Sequence, residues 1–154
     1  MEKQIQMPAT VAEIQLTYRS KVKPSDCPRV CSSASAYQVF LDSWDKLQIN
    51  FREQLRVMLL NTRGRVLGIF DMSFGGTRCT LAEPKLIFAA AIKANAASII
   101  LAHNHPTGET SPSEADRTLT NKLAAIGNLL EIPLADHLVI TEDKYFSFAD
   151  EGLL

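Results

Sequence analysis

The apolar and polar positions of this chain fall into short segments whose period changes from two to nearly four and back. Ile14, Leu16 and Tyr18 alternate with Gln15, Thr17 and Arg19, the period of a half-buried strand. After a loop marked by Pro24 and Pro28, Ala36, Tyr37, Phe40, Leu41 and Trp44 recur at helical spacing behind Ser33 as N-cap. Residues 54–60 are apolar at both parities, which suits a central strand covered on both faces. Asn61-Thr62-Arg63-Gly64 turns the chain into a returning strand from Val66 to Phe70, and Gly75-Gly76 marks a second change of direction. Pro84 opens a helix whose Leu86, Ile87, Ala90, Ala91 and Ala94 form one face. Ser98-Ile99-Ile100-Leu101-Ala102 then reads as a strand.

The next helix start carries the strongest signals. Ser111 is expected as N-cap, Pro112 at the first helical position and Glu114 at the third, ahead of a stripe of Leu119, Leu123, Ile126 and Leu130 interrupted by Gly127. Leu138-Val139-Ile140 and Tyr145-Phe146-Ser147-Phe148 supply a last pair of strands. The order strand, helix, hairpin, helix, strand, helix, hairpin predicts an α/β domain with helices packed on a sheet. Residues 1–10 lack any period and read as a flexible tail, leaving 11–154 as the folded domain.

Composition narrows the function classes. A net charge of -1 gives no electrostatic case for strong attraction to nucleic acid or to a membrane. The basic clusters Arg19-Lys21-Lys23 and Arg63-Arg65 read as solvated surface. Cys27, Cys31 and Cys79 are an odd number and suggest no secreted disulfide framework, and Cys27 and Cys31 lack a second pair at ligand spacing. The first residues lack the apolar core of a signal peptide, and no run approaches the ~18 residues of a membrane span. A cytoplasmic location is the expectation.

The chemistry concentrates after the strand at Ser98. His103 and His105 are two apart, so on an extended chain both imidazoles face one side. Asp116 follows at the start of the next helix. Two imidazoles and a carboxylate are the three protein ligands of a catalytic zinc, with a fourth position left for water. With Ser111 and Glu114 read as the cap, Asp116 lies about one turn inside the helix, free of any capping role and on one face with Ser113. Strand ends in α/β sheets are also where sites collect. Asp136 is a candidate to accept an N–H from a ligating histidine. His137, pointing the other way along its strand, reads as a hydrogen-bonded structural residue. Glu53 shares parity with Leu55, Val57 and Leu59, although by itself a glutamate beside Arg52 and Arg56 reads rather as a surface residue.

His103-x-His105-Pro106 followed by Ser113-x-x-Asp116 resembles the JAMM (MPN+) metalloprotease motif at every position, spacing included. The longer strings 99–108 and 112–116, with Asp136-His137 and residues 145–148, are similar to the RadC family within that group, in a short form without its helix-hairpin-helix segment. The likeness runs from about Ile14 to the last residue. It implies a cytidine-deaminase-like α/β/α sandwich with a mixed sheet, and one zinc ion on His103, His105 and Asp116. It further implies Glu53 as general base, Ser113 as donor to an oxyanion, and cleavage of a peptide or isopeptide amide in a protein or peptide substrate. Because the family carries a DNA-repair label, a competing expectation is a DNA-repair or mobile-element accessory protein that binds metal and acts through DNA or protein partners. The near-neutral charge counts against direct nucleic-acid binding.

Overall fold

Ser98–Asn104 becomes the central strand of the sheet because its side chains are apolar on both faces. In the computed structural model, which describes residues 12, 15, 18–74 and 82–154, this strand (β3) is buried at every position after Ser98. A sheet interior is the place for such a sequence, since either face exposed would leave a row of Ile and Leu in water. The strand expected around Ile14 and Leu16, the Gly75-Gly76 turn and Cys79 lie outside the described residues.

The sheet has five strands in the order β2-β1-β3-β4-β5. Strand β1, Gln54–Leu60, pairs antiparallel with β2, Val66–Phe74, and on its other edge with β3. Strand β4, Leu134–Ile140, runs parallel to β3, and β5, Tyr145–Ser147, closes the far edge antiparallel to β4. The hairpin between β1 and β2 turns where Gly64 takes a positive φ of 70°. A Cβ there would stand 2.6 Å from the Val30 carbonyl oxygen. The turn therefore requires glycine on two counts.

Helices cover both faces, as the α/β/α expectation requires. Helix α1, Ser33–Ser43, sets Ala36 and Phe40, with Trp44 just beyond it, against Met58, Leu60, Ile100, Ala102, Leu138 and Ile140. Helices α2, Pro84–Lys93, and α3, Glu114–Leu129, cover the other face, where Ile87, Phe88, Ala91 and Leu123 meet Leu55, Val57, Leu59, Ile99 and Leu101. Strand parity decides which side each residue serves: odd positions of β1 and β3 face α2 and α3, even positions face α1. The sequence thus makes a single α/β domain with a mixed sheet.

Three local expectations need correction. The N-cap of α1 is Ser32, not Ser33; its hydroxyl accepts from the Ser35 N–H while the Ser35 side chain answers the cap's own N–H. The start of α3 lies two residues later than expected. Ser113, not Ser111, is its N-cap, and Asp116, not Glu114, occupies the third helical position. A serine just after a proline can cap as well as one just before it, and Asp closes the reciprocal box as Glu would. Strand β4 begins at Leu134 rather than near Leu138, so Asp136 and His137 lie within it.

Candidate metal centre

The parallel pair β3–α3–β4 creates the site. Where β3 ends, the chain must leave the sheet and return through α3, so the C-terminal end of β3 and the N-terminal turn of α3 face each other. This is the place where α/β sheets gather their chemistry. His103 has the parity of Ile99 and Leu101 and therefore points to the α3 side, buried to 2 % exposure. His105 continues along the same line, its N–H donating to the Ile140 carbonyl. The two Nε2 atoms come within 3.0 Å of each other, as the two-residue spacing predicts.

The His105 ring is oriented by its own loop. Gly108, at a φ of 84°, donates its N–H to the His105 carbonyl and turns the chain back. This brings the Glu109 carbonyl oxygen to 2.8 Å from His105 Nδ1. A carbonyl only accepts, so Nδ1 carries the ring hydrogen there and Nε2 presents a lone pair toward His103.

Asp116 arrives from α3. Its Oδ1 is 3.3 Å from His103 Nε2, and its Oδ2 is 3.9 Å from His105 Nε2. The Ser113 N–H and hydroxyl both donate to Oδ2, each at 2.7 Å, and the hydroxyl in turn accepts from the Asp116 N–H. This overturns the reading of Asp116 as free of capping duty. The carboxylate caps the helix with one oxygen and leaves the other for the histidines. Burial works against its charge, but hydrogen bonding and charge from His103, together with the two Ser113 donors, hold its pKa far below the ordinary carboxylate value.

The same contacts bear on Ser113. A hydroxyl carries one proton, and here that proton is directed at Asp116 rather than at open space where an oxyanion would form. Ser113 is first of all the residue that fixes Asp116.

Glu53 lies one residue before β1. Leu55 pairs with His103 in the antiparallel ladder, and continuing that register sets Glu53 across from His105. The Glu53 carboxylate and the two imidazoles each bring a ligand atom within 4.8 Å of the others. Among the described residues no hydrogen bond or ion pair holds that carboxylate. Two carboxylates therefore flank the histidine pair, one anchored by Ser113 and one with no such anchor among the described residues.

Asp136 and His137 exchange the places that sequence reasoning gave them. Asp136 turns away from the site: its oxygens accept from the His137 and Ala149 N–H groups and from the Ser147 hydroxyl, tying β4 to the turn after β5. Burial raises its pKa, offset in part by those three donors. His137 is the one that meets a site residue. Its Nε2 is 2.8 Å from His103 Nδ1, its ring is fully buried and stacked on Phe148, and burial pushes its pKa well down.

Two residues of the site escaped sequence reasoning altogether. Thr120, one turn into α3 from Asp116, contacts His137 Nδ1 at 2.6 Å. Asn104, fully buried on the opposite face of β3 from His103, accepts the Gln54 N–H and donates to the carbonyls of Ile49 and Arg52. An asparagine on the α1-facing side of β3, whose other residues there are Ile100 and Ala102, was the available signal, since such a residue must find backbone partners.

The residues fit a zinc ion. In tetrahedral coordination at ~2.0–2.1 Å, neighbouring ligand atoms stand about 3.3 Å apart, and the observed separations of 3.0 and 3.3 Å lie just below and at that value. Cys27, buried with its thiol toward the Lys23 carbonyl, and Cys31, exposed, play no part. Among the described residues no helix is long and apolar enough to cross a membrane.

Comparison with known proteins agrees with this geometry. A family model described as the RadC-like JAB domain matches residues 30–153. A UPF0758 protein of Clostridium kluyveri is 38% identical over 144 residues, covering 94% of this chain and 61% of the relative. One from Flavobacterium johnsoniae is 34% identical over 93% of this chain and 62% of its own length. Another, from Chlorobaculum parvum, is 41% identical over 77% of this chain and 54% of its own. The chain thus spans about three fifths of the length of the first two.

Proposed function

Since the chain belongs to the RadC-like JAB domain family, we propose that it is a zinc-dependent metallohydrolase that cleaves a peptide or isopeptide amide. The observation that carries the reading is the convergence of His103 Nε2, His105 Nε2 and Asp116 Oδ1 within 3.0 to 3.3 Å of their nearest neighbours, with the His105 lone pair turned inward. Without a metal a proton on His103 Nε2 bridges these atoms, and in its place a divalent ion satisfies all three. When bound, zinc supplies Lewis-acid activation of a water and polarisation of the amide carbonyl.

The residues divide the remaining work by how firmly they are held. Asp116, clamped by Ser113, suits a ligand, whose position must not drift. Glu53, with no hydrogen bond or ion pair among the described residues, suits a general base that takes a proton from the attacking water and returns it to the departing amine. Ser113 keeps Asp116 in place. A donation from its hydroxyl to the developing oxyanion needs that hydroxyl to turn away from Asp116 first. The substrate in this reading is a protein or peptide.

The test is a screen of zinc-loaded protein against peptide and isopeptide libraries, with Glu53→Gln as control. Turnover that falls by two to four orders of magnitude in the variant, at unchanged zinc content, supports the assignment. Equal turnover would remove Glu53 from the mechanism, and zinc-free protein after exposure to the metal would remove the hydrolase reading itself.

One observation favours a second reading, an accessory factor that acts through DNA. Arg29, Arg63 and Arg65 line a concave surface with Pro24, Ser25, Asn61 and Thr62, at the opposite end of β1 from the metal centre. Among the described residues no acidic side chain lines it. Salt-dependent anisotropy with short duplex and single-stranded DNA tests it, and loss of the signal in Arg63→Ala would locate the contact.

A further inference from the structure

Resting on the metal reading above, we propose that Thr120 and His137 form a buried relay that sets which nitrogen of His103 faces the metal, and that Thr120 is therefore a positioning residue of the site.

The argument follows the hydrogens one bond at a time. Thr120 Oγ1 is 2.6 Å from the Asp116 main-chain oxygen, four residues back in α3. A carbonyl oxygen can only accept, so the single hydroxyl hydrogen of Thr120 points there. The same Oγ1 is 2.6 Å from His137 Nδ1. With its hydrogen already committed, Thr120 accepts in this second contact, and His137 Nδ1 carries a hydrogen. The His137 ring is entirely buried, stacked on Phe148 with ring centroids 4.8 Å apart, and neither ring nitrogen touches a carboxylate. It is neutral, holds one ring hydrogen, and presents a lone pair at Nε2.

That lone pair lies 2.8 Å from His103 Nδ1, which must then be the donor. The Nδ1 hydrogen of His103 is fixed on the side away from the site, and its Nε2 is the nitrogen turned to His105 and Asp116. The chain of bonds starts at the main-chain oxygen of Asp116 and ends beside that residue's own carboxylate. One residue of α3 thus provides both a ligand and, through its carbonyl, the reference that orients another ligand.

The relay works against intrinsic preference, because a free neutral imidazole favours the hydrogen on Nε2. The reverse arrangement, with Thr120 donating to His137, would set two oxygen lone pairs 2.6 Å apart and would put the second hydrogen of the chain on His103 Nε2. His103 would then be unable to ligate. Substituting groups that orient metal-ligating histidines typically weakens metal binding 10- to 100-fold.

The experiment uses the metal-free protein labelled with 15N at histidine, read by long-range 1H–15N correlation. The relay predicts hydrogen on Nδ1 of both His103 and His137, and none on Nε2 of His137. A protonated Nε2 on His137 overturns it. In parallel, zinc affinity is measured by competition with a chromophoric chelator for Thr120→Val and Thr120→Ser. Valine keeps the shape and removes the hydroxyl; we expect affinity about 10- to 100-fold weaker, restored by serine, while circular dichroism and Tm monitor the fold. Unchanged affinity in Thr120→Val, or no recovery in Thr120→Ser, counts against the relay. The two ideas fail separately, since the metal-free spectra decide the relay without reference to zinc uptake or turnover.

Discussion

His103 Nε2 and Asp116 Oδ1 lie 3.3 Å apart, although one closes β3 and the other opens α3. The contact joins the two arms of the crossover that links the parallel strands, so a bound ion there would cross-link sheet and helix. A group that binds only the folded state stabilises it by mass action, by about 4 kcal/mol when the free ligand exceeds its dissociation constant a thousandfold. We expect Tm to rise with added zinc and to fall on chelation. In Asp116→Ala the zinc response should vanish and elemental analysis should find little bound metal. A variant that still takes up one zinc per chain would show that His103 and His105 hold the ion with a different carboxylate, Glu53 being the one within reach.

Ser113 has two duties that a single substitution can separate. As N-cap of α3, its replacement by alanine should cost ~1 kcal/mol of stability, the ordinary value for a lost cap. As the donor that fixes Asp116 Oδ2, its loss should also weaken zinc binding. Were the hydroxyl instead devoted to an oxyanion, Ser113→Ala would keep full zinc affinity and lower turnover alone. The two 2.7 Å donations to Asp116 lead us to expect the first pattern. Chelator competition beside steady-state kinetics distinguishes them.

Gly127 offers a check on packing rather than chemistry. Glycine within a helix is normally less favourable than alanine by about 1 kcal/mol, so Gly127→Ala would be expected to stabilise α3. Here the sign reverses. A Cβ at this position would stand 2.5 Å from the Ile132 carbonyl oxygen and 3.2 Å from the Leu134 nitrogen, where the chain folds back along the helix into β4. The contact is with backbone on both counts, so it is not relieved by a rotamer change. We expect Gly127→Ala to lose about 1–3 kcal/mol, read by urea denaturation.

The main elements were legible because each had a local physical signature. Strand β1 was bounded correctly at Gln54 and Leu60, since apolar residues at both parities ended at a hairpin turn. The pairing of His103 with His105 followed from the pleat alone. The errors share one cause, which is competition between neighbouring candidates for the same local role. Ser111 and Ser113 can both cap a helix, and only the path of the chain out of β3 selects the second. Asp136 and His137 are adjacent on one strand, so which of them faces His103 depends on the register of β4 against β3, a long-range property. Leu101 pairs with His137 in that register, which turns the imidazole toward the site and the carboxylate toward Ser147. Thr120 carried no signal, because a threonine on a helix looks the same whether it bonds a buried imidazole or water.

Asn104 is where support of the site and stability of the fold meet. It lies between the two histidines in sequence, yet it faces α1, away from His103. Its Oδ1 accepts the Gln54 N–H at 2.7 Å, and its amide donates at 2.6 and 2.9 Å to the carbonyls of Ile49 and Arg52. These bonds hold the segment that enters β1, and Glu53 lies between two of the anchored residues. Alanine at this position would leave a buried N–H and two carbonyls without their partner, and each unmet group costs on the order of 1–3 kcal/mol, partly recovered by entering water. We expect Asn104→Ala to lose roughly 2–4 kcal/mol. For a chain of this size that lowers Tm by roughly 5–15 °C. Zinc affinity should change little, because His103, His105 and Asp116 do not depend on this segment. Turnover at a temperature where the variant remains folded should fall through kcat, since Glu53 loses its fixed approach to the histidines. A variant that keeps both its Tm and its kcat would show that the segment before β1 is held by other contacts and that Glu53 does not rely on Asn104.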